Sequence, residues 1–275
     1  MYSPLTTLKA GRSFAGILMF AFNATQVFAD GQAALPPLFE KYGFFEVGGG
    51  YAHMTENNPN WDDQYIRGSW QFTATDHIFG EISRQNHFGG VGVYFGSTYT
   101  RDFNQNWYGS LNIGTSVGGF FLPEARVDAN VYRKWLEKKN LVTGIGFTHY
   151  RAKNIYYDQT LLFDVVYYFD KPWILELGGR LNQSNPGGIN SGRGFAALTY
   201  GRNKERYITV RYEEGTEAYQ LIGPSTAISD FSSSEVGLTW RQWMSKDYGF
   251  NLVANYYSNP SYSRYGVMLG LFFDF

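Results

Sequence analysis

The chain has no cysteine among its 275 residues. That excludes disulfides, thiolate metal centres and a thiol nucleophile together. Proline is scarce at nine, and histidine scarcer at four: His53, His77, His87 and His149. No two histidines have a spacing that would bind a metal on one strand face, so no metal and no cofactor is expected. The formal charge of −1 supplies no basic surface for nucleic acid. After the first 29 residues no apolar run reaches the roughly 18 residues that a spanning helix needs. Glycine-rich loops of the phosphate-binding kind are missing too, since neither Gly48-Gly49-Gly50 nor Gly118-Gly119 precedes a helical pattern. Those glycines are read as close strand approaches or bends.

What is abundant is aromatic and small: 22 Tyr, 23 Phe, 7 Trp and 32 Gly. Residues 1–29 have the pattern of a secretory signal. Lys9 and Arg12 precede the apolar stretch Phe14 to Phe22, and Ala29 ends the segment with a small residue. Removing it lowers the formal charge from −1 to −3. Residues 30–41 read as a short periplasmic tail and 42–275 as the folded domain. An exported chain without disulfides needs another source of stability, and closing a sheet on itself provides one because no strand edge is left unpaired.

The terminal stretch YSRYGVMLGLFFDF fits that architecture. Tyr265, Val267, Leu269, Leu271, Phe273 and Phe275 alternate with smaller or more polar residues, the period of a strand with one apolar face. A strand of this kind closing on Phe275 resembles the terminal strand of outer-membrane barrels, which helps the barrel assembly machinery to recognise the chain. Further upstream the same period predicts strands near 43–54, 63–75, 77–86, 91–101, 107–118, 124–135, 141–150, 157–169, 173–183, 192–202, 206–214, 234–244, 248–258 and 262–275. The fold expected is all-β: a transmembrane antiparallel up-and-down barrel of about 14 strands, with 12 or 16 as alternatives. Short charged turns such as 137–140 and 245–247 alternate with longer connections, 55–62, 184–191 and above all 215–233, which are expected on the outside. Trp61, Trp107, Trp135, Trp173, Trp243, Tyr156, Tyr157, Tyr248, Tyr257 and Tyr262 sit at strand ends, where an interfacial aromatic girdle would lie.

Alternation also assigns faces. It turns Arg67, Glu81, Arg126, Asp128, Asp164, Glu176, Arg180, Arg211, Glu213, Glu235, Arg241 and Arg264 towards the lumen, because a charge facing mid-bilayer lipid costs about 2–4 kcal/mol. Balanced charges can form a ladder of pairs that fills the lumen, or they can line a conduit for a polar solute together with Tyr65, Tyr94 and Tyr108. A lipid-modifying enzyme would need a nucleophile, a base and an orienting group at the outer rim. Ser83 and His87 are close in sequence, but Ser83 reads as luminal and no orienting group is evident.

The strand Tyr108–Gly114, the run EARVDANVYRKW at 124–135, the strand LVTGIGFTHYR at 141–151 and the terminal YGVMLGLFFDF together resemble the YaiO family of outer-membrane β-barrel proteins, over about Trp107 to Phe275. The resemblance implies an outer-membrane location and a barrel, and brings no catalytic residues. By analogy with other barrels it links to polysaccharide export. The expected role is therefore a passive pore or export conduit for a polar, saccharide-like solute. The alternatives are a closed barrel that presents surface loops, and an enzyme acting on lipid. Expected partners are outer-membrane lipid, the assembly machinery and a polysaccharide or export complex.

Overall fold

In the computed structural model residues 42–275 are described, so the signal and tail expected over 1–41 lie outside the described residues. Fourteen antiparallel strands follow one another around a closed barrel. They are β1 (Gly43–Met54), β2 (Trp61–Gln71), β3 (Asp76–His87), β4 (Gly90–Asp102), β5 (Trp107–Gly118), β6 (Pro123–Trp135), β7 (Leu141–Ala152), β8 (Tyr157–Tyr168), β9 (Trp173–Asn185), β10 (Ile189–Arg202), β11 (Arg206–Leu221), β12 (Ala227–Trp243), β13 (Tyr248–Asn259) and β14 (Tyr262–Asp274). Each pairs with its sequence neighbours, and β1 pairs with β14 from Phe44↔Asp274 to Met54↔Arg264, which closes the ring. The even count places Gly43 and Phe275 at one rim, the periplasmic rim in barrels of this kind.

One face of every strand is exposed and, below the extensions of β11 and β12, mostly apolar. On β14, Tyr265, Val267, Leu269, Leu271, Phe273 and Phe275 are all about half exposed. In a barrel with no second layer this outward set is the lipid-facing surface. The intervening positions are buried and largely polar, as a lumen requires.

Two expectations change. The segment 215–233 is not a long loop. It extends β11 and β12 into a hairpin whose tip is 222–226. Likewise 184–191 is mostly strand, turning at 186–188. Apart from 55–60, the outer connections are therefore no longer than the inner ones, and the asymmetry expected in the loops appears instead as two strands of 16 and 17 residues that stand above the rest of the outer rim. The aromatic girdle is also thinner than expected. Trp107, Trp135, Trp173, Tyr157 and Tyr248 do lie outward and exposed, but Trp61, Trp243, Tyr257 and Tyr262 are buried inside the barrel.

Candidate functional site: the lumen

At the periplasmic end the inward side chains meet. Glu46 on β1 is fully buried. Its Oε1 accepts hydrogen bonds from Tyr65 Oη at 2.7 Å and Arg67 Nη2 at 2.5 Å, and its Oε2 from Asn251 Nδ2 at 2.5 Å. Register explains the pair, because Glu46 stands directly opposite Arg67 on β2. Tyr65 reaches the same carboxylate by lying across Gly48 and Gly270, where any side-chain carbon would overlap its hydroxyl. Asp274 forms a second node: Trp243 Nε1 donates to it at 2.8 Å and Lys204 Nζ at 2.6 Å. Arg241 links the two nodes, 3.6 Å from Glu46 and 3.4 Å from Asp274, with its guanidinium 3.6 Å over the Phe272 ring. Beside this network an apolar cluster of Tyr108, Tyr132, Val142, Val166 and Tyr168 packs against the opposite wall. Together they form a floor.

Higher up, Glu213 gathers three arginines. Arg180 Nη2 donates to it, Arg193 Nε does so at 2.7 Å and Arg211 Nη2 at 3.2 Å. Arg193 also reaches Glu217 at 2.5 Å, and Arg211 lies 3.6 Å from Glu176. Arg126 clasps Asp128 at 2.8 Å, and Asp128 accepts from Thr148 and Asn112 as well. Arg264 pairs with Glu235 at 3.3 Å. Ten of the twelve charged residues assigned inward from alternation thus stand in ion pairs. Glu81 and Asp164 do not, among the described residues.

Above this wall is a cavity of about 390 Å³, with Asp63, Tyr94, Arg126, Arg180, Arg193 and Glu217 among its lining. Its mouth is partly covered. Met54, Trp61, Phe88, Tyr257 and Tyr262 form a buried apolar cluster, and Ile222 and Ile228 of the β11–β12 hairpin pack onto it. Tyr219 Oη donates to the Pro186 carbonyl at 2.9 Å, which ties the hairpin across to the β9–β10 turn. His87 ends β3 as a buried lumen residue. It is stacked between Trp61 at 3.9 Å and Phe121 at 4.5 Å, with Nε2 2.9 Å from Asp63. Ser83 is buried and accepts a hydrogen bond from Gln85, which lies between it and His87 on the inward face. Among the described residues no three His, Cys, Asp or Glu side chains gather as a metal site.

Sequence reasoning missed the residues at the centre of this network. Glu46, Asp63, Lys134, Arg193, Glu217 and Asp274 all occupy inward positions that simple alternation marks. Three donors converge on the buried carboxylate of Asp274.

Comparison with known proteins places this geometry. Several solved barrels share the fold at low identity. The outer membrane protein Omp33 of Acinetobacter baumannii is 11% identical, with 86% of this chain and 99% of that one covered and a TM-score of 0.52. A structure described as a bacterial polysaccharide outer membrane secretin is 10% identical, with 85% and 98% covered and a TM-score of 0.55. The CymD monoaromatic hydrocarbon channel is 6% identical, with 85% and 87% covered and a TM-score of 0.55. Such likeness shows the fold alone. No curated protein matches. Residues 43–220 match the YaiO membrane beta barrel domain, a span that includes β1–β4, which the sequence resemblance had left out, and stops before β12–β14, which it had included. The chain is a bacterial outer-membrane β-barrel and belongs to the YaiO family.

Proposed function

We propose that the barrel is a narrow channel for a polar, saccharide-like solute that occupies the chamber above the floor. The observation that carries this reading is the chamber itself. Its wall of about 390 Å³ combines arginines and carboxylates with tyrosine hydroxyls, and no single sign dominates. A neutral polyol both donates and accepts, so it can exchange hydrogen bonds with such a wall without meeting a repulsive charge. Passage would run along the seam between Glu46, Arg67 and Arg241, whose bonds would be traded for those of the solute. A polysaccharide or an export complex is the partner this role calls for.

Steady single-channel conductance in a planar bilayer, blocked by oligosaccharide and altered by Arg180→Ala, is the expected result. The second reading is a closed barrel that presents its outer hairpin as a recognition surface. It is favoured by one feature, the complete burial of the Glu46 and Arg67 side chains in the floor. Absence of conductance in the wild type, and again after removal of residues 222–226, would overturn the channel and leave this reading. Chemistry is not part of the proposal. Lipid hydrolysis by the purified protein that is lost on replacing His87 or His149 would overturn both readings.

A further inference from the structure

Asp164 on β8 is the exception in the lumen. Its side chain is buried, at 3% exposure, and neither carboxylate oxygen has a hydrogen-bond partner. The charged groups around it are committed elsewhere. Arg180, across β9, turns to Glu213, Arg211 lies against Glu176, and Lys134 is held by Asp102 at 3.2 Å. The nearest walls are aromatic. The Tyr132 ring lies over Gly144, opposite Asp164 on β7, and the Phe195 ring over Gly178, opposite it on β9.

A second buried oxygen close by is equally bare. Asn130 is 4% exposed, and its amide nitrogen donates to Ser110 at 3.2 Å while its Oδ1 has no partner. A side-chain carbon at Gly144 would overlap Asp164 Oδ1, and one at Gly146 would overlap Asn130 Oδ1. Both oxygens therefore lean onto β7 at positions two residues apart, about 7 Å along a strand. Glu176, on the same inward face of the adjoining strand, brings a second carboxylate.

A buried carboxylate without a partner must either hold a proton or meet a positive charge, since its bare ionised form is too costly to keep. An all-oxygen set suits a hard cation. Charge fixes its valence: Asp164 and Glu176 contribute two negative charges, Arg211 returns one, and one positive charge is missing. We propose that Asp164, Asn130 Oδ1 and Glu176 hold a monovalent alkali cation in the middle of the lumen, with Asp164 as direct ligand and the amide oxygen reached through water. This site is independent of whether the lumen conducts.

The test is thermal unfolding of the detergent-solubilised protein in sodium, potassium or choline chloride at equal ionic strength. The wild-type midpoint should rise with sodium or potassium and stay flat with choline, which is too large for the site. Asp164→Asn should lose that dependence, and Glu176→Gln should bind the cation at least about tenfold more weakly. A wild-type midpoint indifferent to the cation, or a dependence that survives Asp164→Asn, would overturn the proposal. If Asp164→Asn fails to fold, infrared difference spectra of the wild type between sodium and choline decide. A perturbed ionised-carboxylate band supports the site, and a protonated-carboxyl band unchanged by sodium overturns it, because a proton then fills the place of the cation.

Discussion

The periplasmic and outer halves of the lumen are lined by the same kinds of residue at the same two-residue period, yet one half is filled and the other hollow. In the floor Glu46 meets Arg67 at the nearest cross-strand position, Asn251 and Arg241 reach the same carboxylate from two and three strands away, and aromatic rings occupy the remaining space. In the outer half the arginines converge sideways on Glu213 along the wall, and the centre is left free. Whether a barrel of this size is a plug or a vessel thus depends on which way its long side chains lean, across the axis or along the wall.

Breaking the floor should have the largest effect. Arg67→Ala leaves Glu46 buried with a lost partner, and removal of one member of a buried pair costs about 3–5 kcal/mol. Urea unfolding in lipid vesicles, followed by tryptophan fluorescence, measures this. Asp274→Ala should follow closely. If either variant unfolds with the wild type, the floor is not what holds the barrel together.

Deleting Phe275 acts on assembly instead. Its backbone exchanges hydrogen bonds with Gly43 at 2.8 and 2.9 Å, and its ring completes the outward row of β14. Surface levels in cells should drop several-fold while the fraction that does assemble keeps near-normal stability. Equal surface levels would count against the role of the terminal strand in recognition.

The vessel is tested more gently. Removing residues 222–226 shortens only a hairpin tip, so the heat-resistant band on a gel should persist. Access to the chamber should nevertheless increase, read as faster labelling of a cysteine introduced at Tyr94. Unchanged labelling would mean that the hairpin does not cover the mouth.

The smallest effect belongs to the rim. Lys138 and Asp170 pair at 2.9 Å between inner turns, and the Asp170 carboxylate raises the Lys138 ammonium above the usual lysine range. A raised cationic group adds its stabilisation below its unfolded value and loses it as pH climbs through the folded one. Lys138→Ala should therefore lower the unfolding midpoint only slightly near neutral pH, because solvent screens the exposed pair. Any difference from the wild type should vanish at strongly alkaline pH.

Much of this fold could be read before any coordinates. Alternation against lipid is a strong signal, since a misplaced charge is expensive there, and it located fourteen strands. It failed where that pressure lifts. The upper parts of β11 and β12 stand above the bilayer, need no apolar face, and pass through Gly215, so a run such as Ser232-Ser233-Ser234 reads as loop. Aromatics at strand ends misled for another reason. Position along a strand does not say which face a ring takes, whereas parity does: Trp61 shares it with Asp63 and Tyr65, and Trp243 with Arg241. The height and volume of the chamber were not legible, because the lean of a side chain depends on partners several strands away.

Closure through β1 and β14 sets a condition on how the molecule comes into being. The pairing that seals the ring joins residues more than two hundred positions apart, as when Met54 stands opposite Arg264. Every other strand finds its neighbour through a short turn, so a sheet can grow progressively from either end. The seam alone must wait for the whole chain. Until then two raw strand edges face the lipid, and half of the Glu46 site is missing. A partial product therefore has no stable resting form, and completion is a single late event that the cell must either promote or prevent.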